Sequence, residues 1–300
     1  MRITRDRMTG VLGRAAKPET VSEQQFDYFN DELRKMARMD WDQVPDDHLW
    51  YYFHDLAYVE LQPDLFRHLF PACLRYWYDT LMRSEDASLG DSDFHYGLMR
   101  GKVLEKMLSE RERRALYNFF RDGFLDRIET ESGLALEHSH DPLCNRAANA
   151  WIFRLNSPGI VAPVIQPIWE EWWQVDHPGK AACAVMYASG LTYLKGENPI
   201  FGTWTRDRGG GGPYLTEIDS SLFDWPWLTE NLCFLRETLS VDYVIRKLAQ
   251  AAETLSNRPG ASVARQVAED APSKRDVIEL RIGDLLDNLG RVHLSKDLWE

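Results

Sequence analysis

The densest group of metal-ligating side chains in this 300-residue chain is His138-Ser139-His140-Asp141. Imidazoles at i and i+2 can chelate one ion from an extended loop, and a carboxylate can complete the set, which is the chemistry of a metal-dependent hydrolase. A further ligand would have to come from elsewhere, for example Glu137 or His177, and Asp141 ahead of Pro142 equally suits the N-cap of a helix. The adjacent pair His54-Asp55 is a second metal-type motif, with His48 and His68 at hand. Neighbouring helical positions point in different directions, so this pair reads as a surface histidine and a helix-face aspartate. Arg206-Asp207-Arg208 with Gly209 to Gly212 has the amides and charge to nest an anion, but lacks the Lys-Ser/Thr of a phosphate loop and any Gly-x-Gly-x-x-Gly ahead of a helix. There is no Gly-x-Ser-x-Gly elbow. Cys144 and Cys183 lie near His140 and His177 in sequence, which does not make a Cys-His dyad. No cofactor motif is present, so no cofactor is expected.

A different chemistry is suggested by charge and aromatics. Asp40, Asp42, Asp46 and Asp47 gather at the start of a helix, and Glu85, Asp86, Asp91 and Asp93 gather in a loop between helices. Trp169, Trp172 and Trp173 fall within five positions, with Trp225 and Trp227 later. Large indoles are first of all core material, but Trp and Tyr are also the side chains that anchor protein interfaces, and acidic clusters steer a basic partner. On this reading the carboxylates and the three neighbouring indoles form a docking surface for a basic protein.

Composition bounds the alternatives. Thirty-five Lys and Arg against 47 Asp and Glu leave a net charge of −12, spread as −7 over residues 1–150 and −5 over residues 151–300. Nucleic-acid binding needs a basic surface that displaces counterions, so it is not expected. Eleven Trp, 12 Tyr and 13 Phe supply ample apolar area, which excludes a disordered chain. No apolar run approaches the length of a membrane span or a secretory signal, so a cytoplasmic protein is expected. Four widely spaced cysteines in apolar surroundings read as buried free thiols.

The elements that must position these groups are mostly helical. Residues 1–20 read as a flexible basic arm, or an arm that docks on an acidic surface. Residues 21–131 read as a helical module. Its helices begin at a Ser22/Gln25 capping box, near Pro45, at Pro63, at Phe94 (running to Leu108) and at a Ser109/Glu112 capping box. Pro71 should kink or divide the helix opened by Pro63. Residues 132–300 form a second region. Helices are expected around Trp151, Trp169 to Trp173, Ala181 to Ala188 and Leu228 to Leu239, then after Ser240 and, capped by Ser273, at the C-terminal end. Leu191 to Leu194, Ile200 to Thr205 and Tyr214 to Ile218 have strand composition, and the glycine-rich loop Arg206 to Pro213 between the last two marks the tip of a hairpin near residues 198–219. Residues 256–273 read as a linker. The expected fold is mainly α, a multi-helix orthogonal array with a small antiparallel β-hairpin in the second half.

Trp41, Pro45, Leu49 and Leu56, then Pro63, Phe66, Arg67, Pro71, Ala72 and Leu74, then Leu108, Ser109, Glu112, Arg113 and Leu116 resemble the pattern of a bacterial family of unknown function. Phe70 stands where that pattern has Leu, and Ser109 where it has Thr. The resemblance covers under a third of the chain and implies a helical fold and a bacterial source. Similar proteins often sit among toxin–immunity genes, which implies a protein that binds another protein. The functional expectation is therefore an immunity protein that occludes a basic toxin, the alternative being the hydrolase at His138, His140 and Asp141.

Overall fold

The computed structural model describes residues 5–23, 29–56, 58–82, 94–95, 97–99, 102–134, 159, 162–194, 197–200 and 227–290. Among these it is mainly α-helical, with no strand. The hairpin expected near 198–219 and the helix expected around Trp151 fall almost wholly outside the described residues. The chain divides into two compact units, the first ending at Asp126 and the second starting at Arg127, inside the last turns of a long helix.

Unit 1 holds α1 (Arg5–Leu12), α2 (Asn30–Met36), a 3-10 turn (Trp41–Gln43), α3 (Asp46–Asp55), α4 (Pro63–Met82), α5 (Val103–Met107) and most of α6 (Glu110–Thr130). Helix α4 is its hub, packing against α1, the 3-10 turn and α3. Pro71 neither ends nor divides α4, which runs unbroken from Pro63 to Met82 and buries residues on nearly every side, including Phe66, Phe70, Cys73 and Trp77. A helix apolar around most of its circumference belongs in a core, where packing outweighs one lost backbone bond.

Two expectations for this unit are corrected. The basic arm is ordered from Arg5: α1 buries Met8 and Val11, Arg7 pairs with Asp122, and Lys17 reaches Asp40 at 2.9 Å. Thus part of the segment docks on the chain's own carboxylates. At the first expected helix, Gln25 of the Ser22/Gln25 box lies outside the described residues; the Ser22 backbone N–H and C=O bond the Gln62 amide at 2.8 and 3.1 Å, and α2 is described from Asn30 to Met36. The helix expected from Phe94 to Leu108 is interrupted at Lys102, whose φ of +51° is left-handed and cannot continue an α-helix.

The Ser109/Glu112 capping box forms as read. Ser109 N–H and Oγ donate to Glu112 Oε2 at 2.8 and 2.7 Å, and Glu112 N–H returns to Ser109 Oγ at 3.4 Å. The second oxygen, Oε1, accepts from Arg67 of α4 at 2.7 Å, so a local cap also ties α6 to α4. Arg67 first, then the Ser109 donors, hold the Glu112 carboxyl down at about 2. Because the folded value lies below the unfolded one, this stabilisation is present above about pH 4.3 and is lost as pH falls toward 2. Glu112→Gln is expected to lower stability by about 1–2 kcal/mol at pH 7, half-exposure of Arg67 tempering the charge contribution. Urea unfolding of both proteins at pH 7 and pH 2.5 checks this; a gap that does not shrink on acidification refutes it.

Unit 2 holds α7 (Ile165–Trp172), α8 (Pro178–Thr192), α9 (Thr229–Thr238), α10 (Val241–Thr254), α11 (Ala261–Asp270), a 3-10 turn (Ala271–Lys274) and α12 (Arg275–Gly290). Helix α8 is central and packs against α7, α10, α11 and α12. Every residue from Gly179 to Thr192 is buried, and the small residues of this segment let neighbouring backbones approach. A Cβ on Gly179 would lie 2.1 Å from the Ile128 carbonyl oxygen. His177 Nδ1 accepts from Gly179 N–H at 3.1 Å and Pro178 opens the helix, as its fixed φ favours. Lys180, almost sealed, is neutralised by Glu171 at 2.6 Å and Asp176 at 3.1 Å.

Leu191 and Thr192, expected in a strand, close α8 instead: Thr192 Oγ1 donates to the Ala188 carbonyl at 2.9 Å, and the chain becomes extended only at Tyr193. The expected linker at 256–273 contains α11 and the 3-10 turn. Its Ala264 and Val267 are buried, and Gly260 at φ +76° supplies the left-handed turn before it. Ser273 does not cap α12; its hydroxyl donates to the Asp270 carbonyl at 2.7 Å while the chain runs through the 3-10 turn into the helix. Ser240 does cap α10, accepting from Tyr243 N–H at 3.2 Å. Asn231, buried in α9, bonds the carbonyls of Gly159 and Ala162 and accepts from Ile165 N–H, fixing the start of α7.

Candidate functional site: the acidic and aromatic face of helix α3

Helix α3 is built from two opposed faces. Leu49, Tyr52, Phe53 and Leu56 are buried. Asp47, Trp50, Tyr51 and His54, followed by Tyr58, occupy the other side at spacings of three, four and seven, which lie along one stripe of a helix. Asp47 is exposed, Tyr51 is 42% exposed and the His54 side chain 38%. The rings touch in series. Tyr51 meets Trp50 edge-on at 4.9 Å, Trp50 stacks on His54 at 5.6 Å with planes 22° apart, and His54 meets Tyr58 at 5.3 Å. Phe29, just before α2, backs Tyr51 at 5.5 Å. Beside His54, Asp55 is buried, with Oδ1 3.5 Å from His54 Nδ1 and Oδ2 without a hydrogen-bond partner among the described residues.

The carboxylates expected at this helix start are brought together, but three of the four residues engage the chain's own cations. Asp40 pairs with Lys17, whose hydrogen bond and charge hold its carboxyl below the usual range. Arg75, reaching from α4, donates to the carbonyls of Asp42 and Val44 at 2.7 Å each and to Asp46 Oδ1 at 3.0 Å. Among the described residues, Asp47 Oδ1 accepts only from the neighbouring His48 N–H, at 3.0 Å, and the side chain is exposed.

The three indoles expected to anchor a partner are corrected to core. Trp169, Trp172 and Trp173 are at most 2% exposed and sit in unit 2. They pack on one another at 4.9 to 5.4 Å and against Tyr187. Trp169 Nε1 donates to Tyr243 Oη at 2.9 Å and Trp172 Nε1 to the Lys180 carbonyl at 3.1 Å. Side chains so enclosed present no surface to another protein. Their helix is only 8 residues long, and covering it requires turning its aromatic side inward. Trp50, Tyr51 and Tyr58 are the residues that sequence reading misses, whereas His54 is the surface histidine it expects. Their signal was the aromatic stripe opposite the Leu49, Phe53 and Leu56 face.

Glu85, Asp86, Asp91 and Asp93, and the possible metal ligands His138, His140 and Asp141, lie outside the described residues. Among the described residues no group of three or more His, Cys, Asp and Glu could hold a metal. His68 is occupied with the Met39 carbonyl at 3.0 Å, and burial lowers its basicity. Cys73 and Cys183 are buried thiols pushed up by desolvation, whereas Cys233 is exposed on α9, against the expectation that all four are buried. No helix among the described residues is long and apolar enough to cross a membrane. The fold and this face describe a mainly α protein with an acidic, aromatic helix surface. No known protein family, curated protein or solved structure matches the chain.

Proposed function

We propose that this chain is a cytoplasmic protein-binding protein that neutralises a basic partner by covering it, in the manner of an immunity protein against a toxin. The observation that supports this reading is the α3 stripe, where exposed Asp47 and half-exposed Tyr51 and His54 continue an aromatic ladder on one helix face. Aromatic rings supply contact area at low entropic cost, and unpaired carboxylates steer and orient a cationic surface. The overall charge of −12 acts in the same sense at longer range.

The test is affinity capture with the immobilised protein from its own organism's extract at low salt, repeated with Tyr51→Ala and with Asp47→Lys. Wild type should recover one basic polypeptide, released by raising the salt. Each variant should weaken that complex by about 10-fold or more while melting within a few degrees of wild type, since both sites are exposed. Capture unchanged by both substitutions would remove the α3 face from the reading. Recovery of no basic polypeptide would remove the reading itself.

A further inference from the structure

The N-terminal segment of unit 1 bears on how a basic partner gains access, and the inference rests on the protein-binding reading above. We propose that residues 5–17 are an internal competitor, a basic strap that occupies acidic ground on unit 1 and gives way to a cationic amphipathic helix of the partner.

The strap has the chemistry expected of that partner. Arg5, Arg7, Arg14 and Lys17 stand against Asp6 alone, in a chain of net charge −12. They engage carboxylates of their own unit. Arg7 pairs with Asp122 of α6, and Lys17 pairs with Asp40 at 2.9 Å while donating to the Arg38 carbonyl at 2.8 Å. The apolar anchors are Met8 and Val11, one helical turn apart and both buried where α1 packs on α4. A cation beside two apolar residues at this spacing is how an amphipathic helix seats itself in a groove.

The hold on the strap is weak. Helix α1 has 8 residues, too few to stay helical in water without its seat, and Gly10 in its middle lowers its helix propensity further. None of residues 12–23 is buried. Among the described residues, no backbone-to-backbone hydrogen bond joins residues 5–23 to the rest of unit 1. Lys17 and Asp40 are 48% and 64% exposed, and ion pairs so exposed contribute little. Arg7 reaches Asp122 through Nη2, whereas its buried Nη1 has no acceptor among the described residues, so part of its desolvation goes uncompensated. The far end is tied more firmly, Ser22 to the Gln62 amide through both N–H and C=O, and Glu23 to Arg34 at 3.2 Å. A strap that lifts therefore stays tethered and competes at high effective concentration.

The experiment measures backbone hydrogen exchange in the full-length protein and titrates it with an acetylated, dye-labelled peptide of residues 1–20. In wild type the α1 amides should exchange about 100-fold or more faster than those of α4, reporting local release. The peptide should bind the Met8→Asp, Val11→Asp double variant, whose own strap cannot seat, about 10-fold or more tighter than wild type. Adding Asp122→Asn should take back about three-fold or more of that gain. The double variant should keep the near-ultraviolet circular dichroism of wild type. Exchange of α1 as slow as that of α4, collapse of unit 1 in the double variant, absence of peptide binding, or equal affinity for the two proteins would each overturn the proposal, and the exchange measurement needs no variant at all. Capture of a basic polypeptide through Tyr51 and Asp47 tests the protein-binding reading separately. If capture succeeds and the strap does not release, only the strap falls; if the strap releases and binds peptide but nothing basic is captured, the cationic-helix site stands and the reading falls.

Discussion

Acidifying the protein from pH 7 to pH 4.5 is expected to remove about 3 kcal/mol of stability through His95 alone. His95 is fully buried, its ring 4.8 Å from Phe120 and 5.9 Å from Trp77, with Phe94 and Phe124 completing the enclosure. The Trp77 indole N–H donates to His95 Nε2 at 3.0 Å. That bond requires Nε2 to be an acceptor, so the ring is neutral with its proton on Nδ1, which has no partner among the described residues. Protonation would place a second N–H against the indole donor inside an apolar box. Burial accordingly pushes the imidazole down to about 3, from an ordinary 6.5.

Between those values the unfolded chain binds the proton and the native one does not. Stability therefore falls as pH drops from about 6.5 toward 3, by about 1.4 kcal/mol per pH unit. His68, lowered by burial, contributes in the same direction, whereas Glu112 acts in a lower window. His95→Phe should be about 1–2 kcal/mol less stable than wild type at pH 7.5, because the Trp77 N–H loses its acceptor. It should overtake wild type somewhere near pH 5.5, where the wild-type penalty exceeds that loss. Urea titrations at pH 7.5, 6.0 and 4.5 decide the matter. Parallel pH profiles for the two proteins would show that His95 does not control acid stability.

Replacing Trp172 with alanine is expected to cost about 3–5 kcal/mol and to lower the melting temperature of unit 2 by on the order of 10 °C. The indole has no exposed surface, and it packs on Trp169, Trp173 and Tyr187 at 5.1 to 5.4 Å. Its N–H satisfies the Lys180 carbonyl at 3.1 Å, in the turn where the Lys180 ammonium is paired with Glu171 and Asp176. Alanine leaves a cavity among aromatic rings that cannot readily collapse, and it frees a buried carbonyl. Thermal melting followed by near-ultraviolet circular dichroism measures the effect. The contrast with Tyr51→Ala is the functional point. Trp172→Ala should destabilise while partner affinity per folded molecule holds, and Tyr51→Ala should do the reverse. If Trp172→Ala melted like wild type, the indole cluster would not be the core described here.

What could be read from sequence depended on how far each interaction reaches along the chain. The Ser109/Glu112 box, the Ser240 cap and the Pro178 helix start were legible because each is a hydrogen bond or a torsion preference within three residues. Ser273 carried a similar cap signal and did not cap, since its hydroxyl donates to the Asp270 carbonyl. Helix α11 reads as a linker in sequence because its small, polar residues hide only two buried positions, Ala264 and Val267. The α1 segment looked like a free arm because its cover, α4 and Asp122, lies far along the chain.

The sequence alone thus determined that the chain is a mainly helical, acidic protein and where several helices begin, because periodicity and capping are local. Only the tertiary structure decided which aromatic cluster is sealed and which faces solvent. Trp169, Trp172 and Trp173 and the group Trp50, Tyr51 and His54 are alike in type and spacing. They differ in what the rest of the chain lays over them: Tyr187 and Tyr243 cover the first, whereas Tyr51 and His54 keep part of their surface in water. Burial is a property of distant partners, so no local pattern reports it.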